Sequence, residues 1–145
     1  MRKYIEVFIV LAFLGYGLIR LGVGSALLSQ EIGLIDSQAL GGPIADIGIF
    51  LGKSSEGQII PVSVAGYVGY IALMGLVLSL GALRTLKNRS FGLSFIGAFI
   101  VMYGLLFVNF QTINPKAIHL GICISLFVVL LWLKGVFSKM LSSDA

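Results

Sequence analysis

The sequence predicts an all-α integral membrane protein: a four-transmembrane-helix bundle with both termini cytoplasmic and a short interfacial or re-entrant helix in the first outer loop. Three observations predict it. First, 58% of the 145 residues are hydrophobic and 11% are charged, and the mean hydropathy is +1.05. A water-soluble domain of this size has too little interior to hide that much apolar surface, whereas a bilayer dissolves it. Second, the chain holds four apolar runs, and crossing a hydrocarbon core of about 30 Å takes roughly 20 residues. Third, Lys and Arg gather at alternate ends of these runs. The whole chain, 1–145, reads as a single membrane domain.

The first run, 4–28, carries Glu6 near its start and Arg20 inside it. With Arg2 and Lys3 before it and Gly24-Ser25-Ala26 near its end, it has the outline of a signal peptide. A charge at Arg20 is out of place in such an apolar region, so a retained helix is expected. The second run, 62–83, holds no charge before Arg84, and the third spans 91–110. The fourth, 117–137, includes Lys134 close enough to its end for the amine to reach the interface.

Basic residues near helix ends tend to stay in the cytoplasm. With the amino terminus inside, Arg2, Lys3, Arg84, Lys87, Arg89, Lys134 and Lys139 are cytoplasmic, while Lys53 and Lys116 lie outside. The reverse orientation would translocate the larger set. The net charge of +4 therefore reads as a topology signal, and no basic patch interleaved with aromatics points to nucleic acid. The expected location is the inner (plasma) membrane of a cell.

The connections differ in kind. A tight inner turn over 84–90 makes the second and third helices a hairpin. An outer turn near 112–116 joins the third to the fourth, with Asn114 as cap and Pro115 at the first helical position. The outer segment 29–61 is too long for a simple connection and too apolar for a solvated loop. Within it Ile44, Ile47 and Leu51 share a helical face behind Gly41-Gly42-Pro43, Asp46 lies in the first turn, and Gly52 can end the helix. The spacing predicts a helix over 43–51, too short to span.

Small residues matter in lipid because they let helix backbones approach. Ala65, Gly69, Ala72 and Ser79 form a stripe on the second helix, flanked by Gly75 and Ala82. On the first helix Gly17 and Gly24 bracket Arg20 on one face. Counting from Ile5 at about 1.5 Å per residue puts Arg20 roughly 22 Å into the membrane, in the outer half. A glycine-lined face meets protein, so Arg20 is expected to face the bundle and to need an acceptor.

Glu31, Asp36 and Asp46 are the acids on that side, Asp46 the first choice, and Tyr16 lies one turn away. Asn109 and Gln111 end the third helix and His119 begins the fourth, all near the same depth. Arg20, Asp46, Asn109 and His119 are therefore the candidate ligand-binding residues of an outer polar pocket. Arg donates several hydrogen bonds and His titrates near neutrality, which suits an anionic headgroup, a quinone-like carbonyl or a proton-coupled substrate.

Other chemistry finds little footing. The chain has one His and one Cys, too few for a metal site; Cys123 has no partner for an intrachain disulfide and reads as a packing residue. Gly22-Val23-Gly24-Ser25 lacks the strand and helix that give a phosphate loop meaning. No catalytic motif and no cofactor is expected. Leu18-Ile19-Arg20-Leu21 followed by Gly24 is similar to the first helix of DoxX-like four-helix membrane proteins; the likeness covers that helix and implies the four-helix architecture, with no activity attached.

Two functions are compatible with these readings. One is a non-catalytic accessory or scaffold subunit of a membrane complex, its small-residue faces contacting another membrane protein or a second copy. The other is a small transporter or ligand-binding membrane protein using the pocket around Arg20. Membrane lipids are expected neighbours in both, and the sequence ranks the first ahead.

Overall fold

The computed structural model describes residues 1–111 and 115–136, and these form five α-helices with no strand. The helices are α1 (Arg2–Glu31), α2 (Gln38–Lys53), α3 (Val64–Leu86), α4 (Gly92–Phe110) and α5 (Lys116–Leu133), with a short 3-10 turn at Ser55–Gly57 after α2. All but α2 are long and apolar enough to cross a membrane. Asn114, Lys139 and the end of the fourth predicted run lie outside the described residues.

α1 is the longest, and its 30 residues reach about 45 Å, more than a hydrocarbon core is thick. It stops at a local device rather than at a change of polarity. Gly33 takes φ +76°, and its N–H and that of Leu34 bond back to the carbonyls of Gln30 and Ser29, the Schellman closure that a left-handed residue permits. Asn88 does the same for α3 at φ 50°, with the N–H groups of Asn88 and Arg89 on the carbonyls of Thr85 and Arg84. α3 therefore runs past the predicted boundary at 83, and the inner turn shrinks accordingly.

α2 differs most from expectation. It starts at Gln38 behind Ser37 rather than at Pro43, and it continues through Gly52 to Lys53. Pro43 lies inside the helix and forfeits the bond its N–H would make to the Ala39 carbonyl, while Gly41-Gly42 supply helical backbone instead of a break. At 16 residues, about 24 Å, it remains shorter than a bilayer core. Its contact with the bundle is made by buried Leu51 and by Phe50, whose ring packs on Phe110 at 5.2 Å and Tyr67 at 6.3 Å.

Glycines set how closely the spanning helices approach. A Cβ on Gly75 of α3 would strike the backbone nitrogen of Leu21 and lie 2.7 Å from the Gly17 carbonyl oxygen; one on Gly24 would sit 2.6 Å from the Ala72 nitrogen. α1 and α3 thus meet backbone to backbone, as small residues allow in lipid. The α3–α4 hairpin repeats the device. A Cβ on Gly81 would come within 3.0 Å of the Ile96 nitrogen, and one on Gly92 within 2.7 Å of the Thr85 nitrogen. Between these seams Val10, Met74, Leu78, Ile96, Phe99 and Leu130 are fully buried.

The outward faces stay apolar, with Phe8, Leu18, Val101, Val108, Ile118 and Trp132 exposed, as lipid contact requires. One end of the bundle gathers the start of α1, the end of α5 and the α3–α4 turn. There Arg2 Nη2 donates to the Leu133 carbonyl at 2.6 Å, Glu6 pairs with Lys134 at 2.6 Å, and Lys134 Nζ donates to Asn88 Oδ1 at 3.1 Å. α2 and the segment before α3 lie at the opposite end.

Candidate functional site

At the end that carries α2, a cavity of about 310 Å3 opens between α1, α2, α3, α4 and the start of α5. Arg20 and His119 both line it, so two of the four candidate ligand-binding residues share a site. Apart from Lys116 at the start of α5, the rest of the wall is aromatic and aliphatic. Tyr103, Phe107 and Phe110 recur on one face of α4 at the spacing of successive helical turns, Phe50 and Tyr67 close it from α2 and α3, and Ile19, Val23 and Ile71 fill between them.

Arg20 is held by rings rather than by an acid. Its guanidinium carbon lies 4.3 Å from the centre of the Tyr103 ring, 4.8 Å from Tyr16 and 5.7 Å from Phe99, all inside the range of cation–π attraction. Nη2 donates to the Tyr16 hydroxyl at 2.7 Å. A charge near the centre of a membrane helix costs about 2.5–3.5 kcal/mol on insertion scales, and each desolvated ring contact returns about 0.5–2 kcal/mol. The aromatic cage therefore offsets most of the cost without neutralising the charge.

That distinction sets the site's chemistry. The ion pair resolved among the described residues, Glu6 with Lys134, is at the other end of the bundle, and Arg20 Nε is buried with no hydrogen-bond partner. A planar group with five donors uses one of them on Tyr16. With Nε buried and Nη2 engaged on Tyr16, the Nη1 donors are the ones left for a carboxylate or phosphate.

Asp46 does not supply Arg20's counter-charge. It lines an adjoining cavity of about 360 Å3, together with Gly24, Leu27 and Lys116. Phe50, Tyr67, Ile71 and Lys116 border both spaces. The reason is the register of α2: the helix turns Phe50 toward Tyr67 and Phe110 and leaves Asp46 exposed one turn earlier. Glu31 and Asp36 are exposed as well.

Asn109 does not line the Arg20 cavity; it borders a separate space beside Ile59 and Ile60 and acts there as a structural tie. Its Oδ1 accepts from the Ile60 N–H at 2.7 Å, its Nδ2 donates to the Ile60 carbonyl at 3.1 Å, and its own carbonyl accepts from Ile59 N–H at 3.0 Å. The side chain imitates a neighbouring strand and satisfies backbone that has no helix to join. Gln58 works alike, accepting from Val62 N–H at 3.0 Å and donating to the Leu51 carbonyl at 3.3 Å.

The helix-packing candidates divide. Gly17, Gly24, Ala72 and Ser79 meet in the α1–α3 seam. Gly69 lies at its edge, where an added Cβ would touch only Leu28 Cδ2 at 3.9 Å, and Ala65 is half-buried at the start of α3. Gly75 does the most to bring the helices together. Comparison with family profiles, with characterised proteins and with solved structures returns no match.

Proposed function

We propose that the chain is a small ligand-binding protein of the plasma membrane whose outer pocket takes the oxyanion head of an otherwise apolar small molecule. The observation that carries this reading is Arg20: a cation facing a cavity of about 310 Å3, held by aromatic faces, with Nε buried and unpaired. Arg2, at the opposite end, spends Nε and Nη2 on the carbonyls of Trp132 and Leu133, whereas the bond resolved for Arg20 is to the Tyr16 hydroxyl. The largely apolar walls strengthen any charge pairing inside.

The orientation belongs to the same proposal. Arg2, Lys3, Arg84, Lys87, Arg89 and Lys134 belong to the end opposite the pocket, so basic residues retained inside put both chain ends in the cytoplasm and the cavity in the outer leaflet. α2 then lies at the outer interface as a cover over the cavity, Phe50 being the residue it contributes to the wall.

The subunit reading keeps less support, because Ala72 and Ser79 of the small-residue stripe are taken up between α1 and α3, leaving Gly69 at the edge of that seam. A soluble fluorinated short-chain acid, trifluorobutyrate, tests the pocket by fluorine NMR with protein in detergent. Saturable binding is expected in the wild type and a loss of about 10-fold or more in Arg20→Gln, the worth of a charge-assisted pair. Equal binding by the two proteins rejects the proposal.

A further inference from the structure

We infer that the ligand is a membrane amphiphile whose single hydrocarbon chain lies in a groove between α1 and α5 and which reaches the pocket sideways from the lipid. This rests on the reading of Arg20 as the anion anchor. The observation that extends it is a second cavity of about 180 Å3 lined by Ala12, Phe13, Tyr16, His119, Ile122, Cys123 and Leu126. Tyr16 and His119 line the Arg20 cavity too, so the two spaces share a boundary at the residue that holds the guanidinium.

Direction and lining both fit a chain. From Arg20 to Ala12 the groove descends along α1 by about 12 Å at 1.5 Å per residue, toward the middle of the bilayer, the way a lipid tail points from its head. Apart from His119 at the top and the hydroxyl of Tyr16, every wall is apolar. Ala12 and Ile122 stand exposed at its lip, which leaves it open to lipid. A volume of about 180 Å3 is too small to seat a helix about 10 Å across, which disfavours a protein partner. α5 is suited to bordering such a gap, since its buried residues are Cys123, Leu130 and Leu133.

A chain already dissolved in lipid gains little by moving between two apolar surroundings. The groove therefore fixes where the tail lies rather than adding affinity, and the test must read position. Two probes are used on wild-type protein in nanodiscs: hexadecanoate with a diazirine near its methyl end, and a lysophosphatidate with the same photoreactive chain. They share an oxyanion head, and the stronger labelling tells carboxylate from phosphate.

Irradiation is expected to label α1 near Ala12 and α5 near Ile122 and Leu126, saturably, with at least 10-fold loss in Arg20→Gln. Ile122→Trp and Ala12→Phe fill the groove and should abolish labelling there while trifluorobutyrate still binds at Arg20. Trifluorobutyrate binding with tail labels scattered over the outer lipid-facing surface, or groove labels that survive both fillings, overturns the tail assignment and leaves the anion site standing. No Arg20-dependent binding of either the short acid or the long probes overturns both.

Discussion

Arg20 has an ambiguous identity in sequence and a definite one in three dimensions. In sequence it is a charge among apolar residues, for which an ion pair with an acid is the familiar compensation. The protein instead uses Tyr16, Phe99 and Tyr103. The Tyr16 half of that solution was legible, lying one helical turn before Arg20; the other rings come from α4, and no pattern within α1 could have named them. A cage leaves the desolvation cost only partly offset, so Arg20→Met is expected to raise the thermal stability of the ligand-free protein in detergent by about 1 kcal/mol while ending anion binding. Lower stability in that variant would show that Arg20 is chiefly a structural anchor.

Glycine gives the second prediction at this scale. Gly75 and Gly22 look alike in sequence, both inside spanning runs. A Cβ on Gly75 meets the backbone of Leu21 and Gly17, while one on Gly22 meets nothing within 4 Å. Gly75→Ala should cost about 2 kcal/mol or more, since two helices must separate. Gly22→Ala should be neutral or gain up to about 1 kcal/mol from helix propensity. Thermal melts of the two variants in one detergent check the contrast, and similar losses in both would refute the seam.

Among the elements, the four spanning helices could be read from hydropathy because the bilayer imposes length and apolarity on each independently. α2 was harder. Its apolar face from Ile44 to Leu51 was visible, yet Gly41-Gly42-Pro43 argued for a start that the helix does not take. Those residues are weak stops when the preceding turn is already fixed, here by Gln30 Oε1 accepting from the Ser37 N–H at 2.8 Å and by the Leu40 N–H bonding to the Ser37 carbonyl. Asn109 is ambiguous in sequence for a related reason: a polar side chain at a helix end can face a pocket or mend a loop, and its partner Ile60 is 49 residues away. Asn109→Ala should leave the Ile60 backbone unpaired and loosen the strap before α3. Hydrogen exchange at Ile59 and Ile60 is expected to rise at least 10-fold, with α1 and α3 unchanged; unchanged exchange at both amides would contradict the role given to Asn109.

For the whole molecule, the arrangement sorts chemistry by end. One end is tied by charge, with Glu6, Lys134, Asn88 and Arg2 joining the start of α1 to the end of α5. The other holds a cation among rings under a short helix. Single cysteines at Lys87 and at Lys53, in a Cys123→Ala background, read the orientation in intact cells. A membrane-impermeant maleimide should label Lys53→Cys and spare Lys87→Cys until the membrane is opened; the opposite pattern would put the pocket in the inner leaflet.

The central claim is that Arg20 grips an anionic amphiphile in the cavity beneath α2. Native mass spectrometry of the protein released from membranes in a mild detergent or a nanodisc tests it most directly, with wild type and Arg20→Gln compared side by side. The account predicts a small molecule retained in stoichiometric amount by the wild type and absent from the variant. A bare chain in both preparations, the same adduct in both, or a stoichiometric protein partner in place of a small molecule would contradict it.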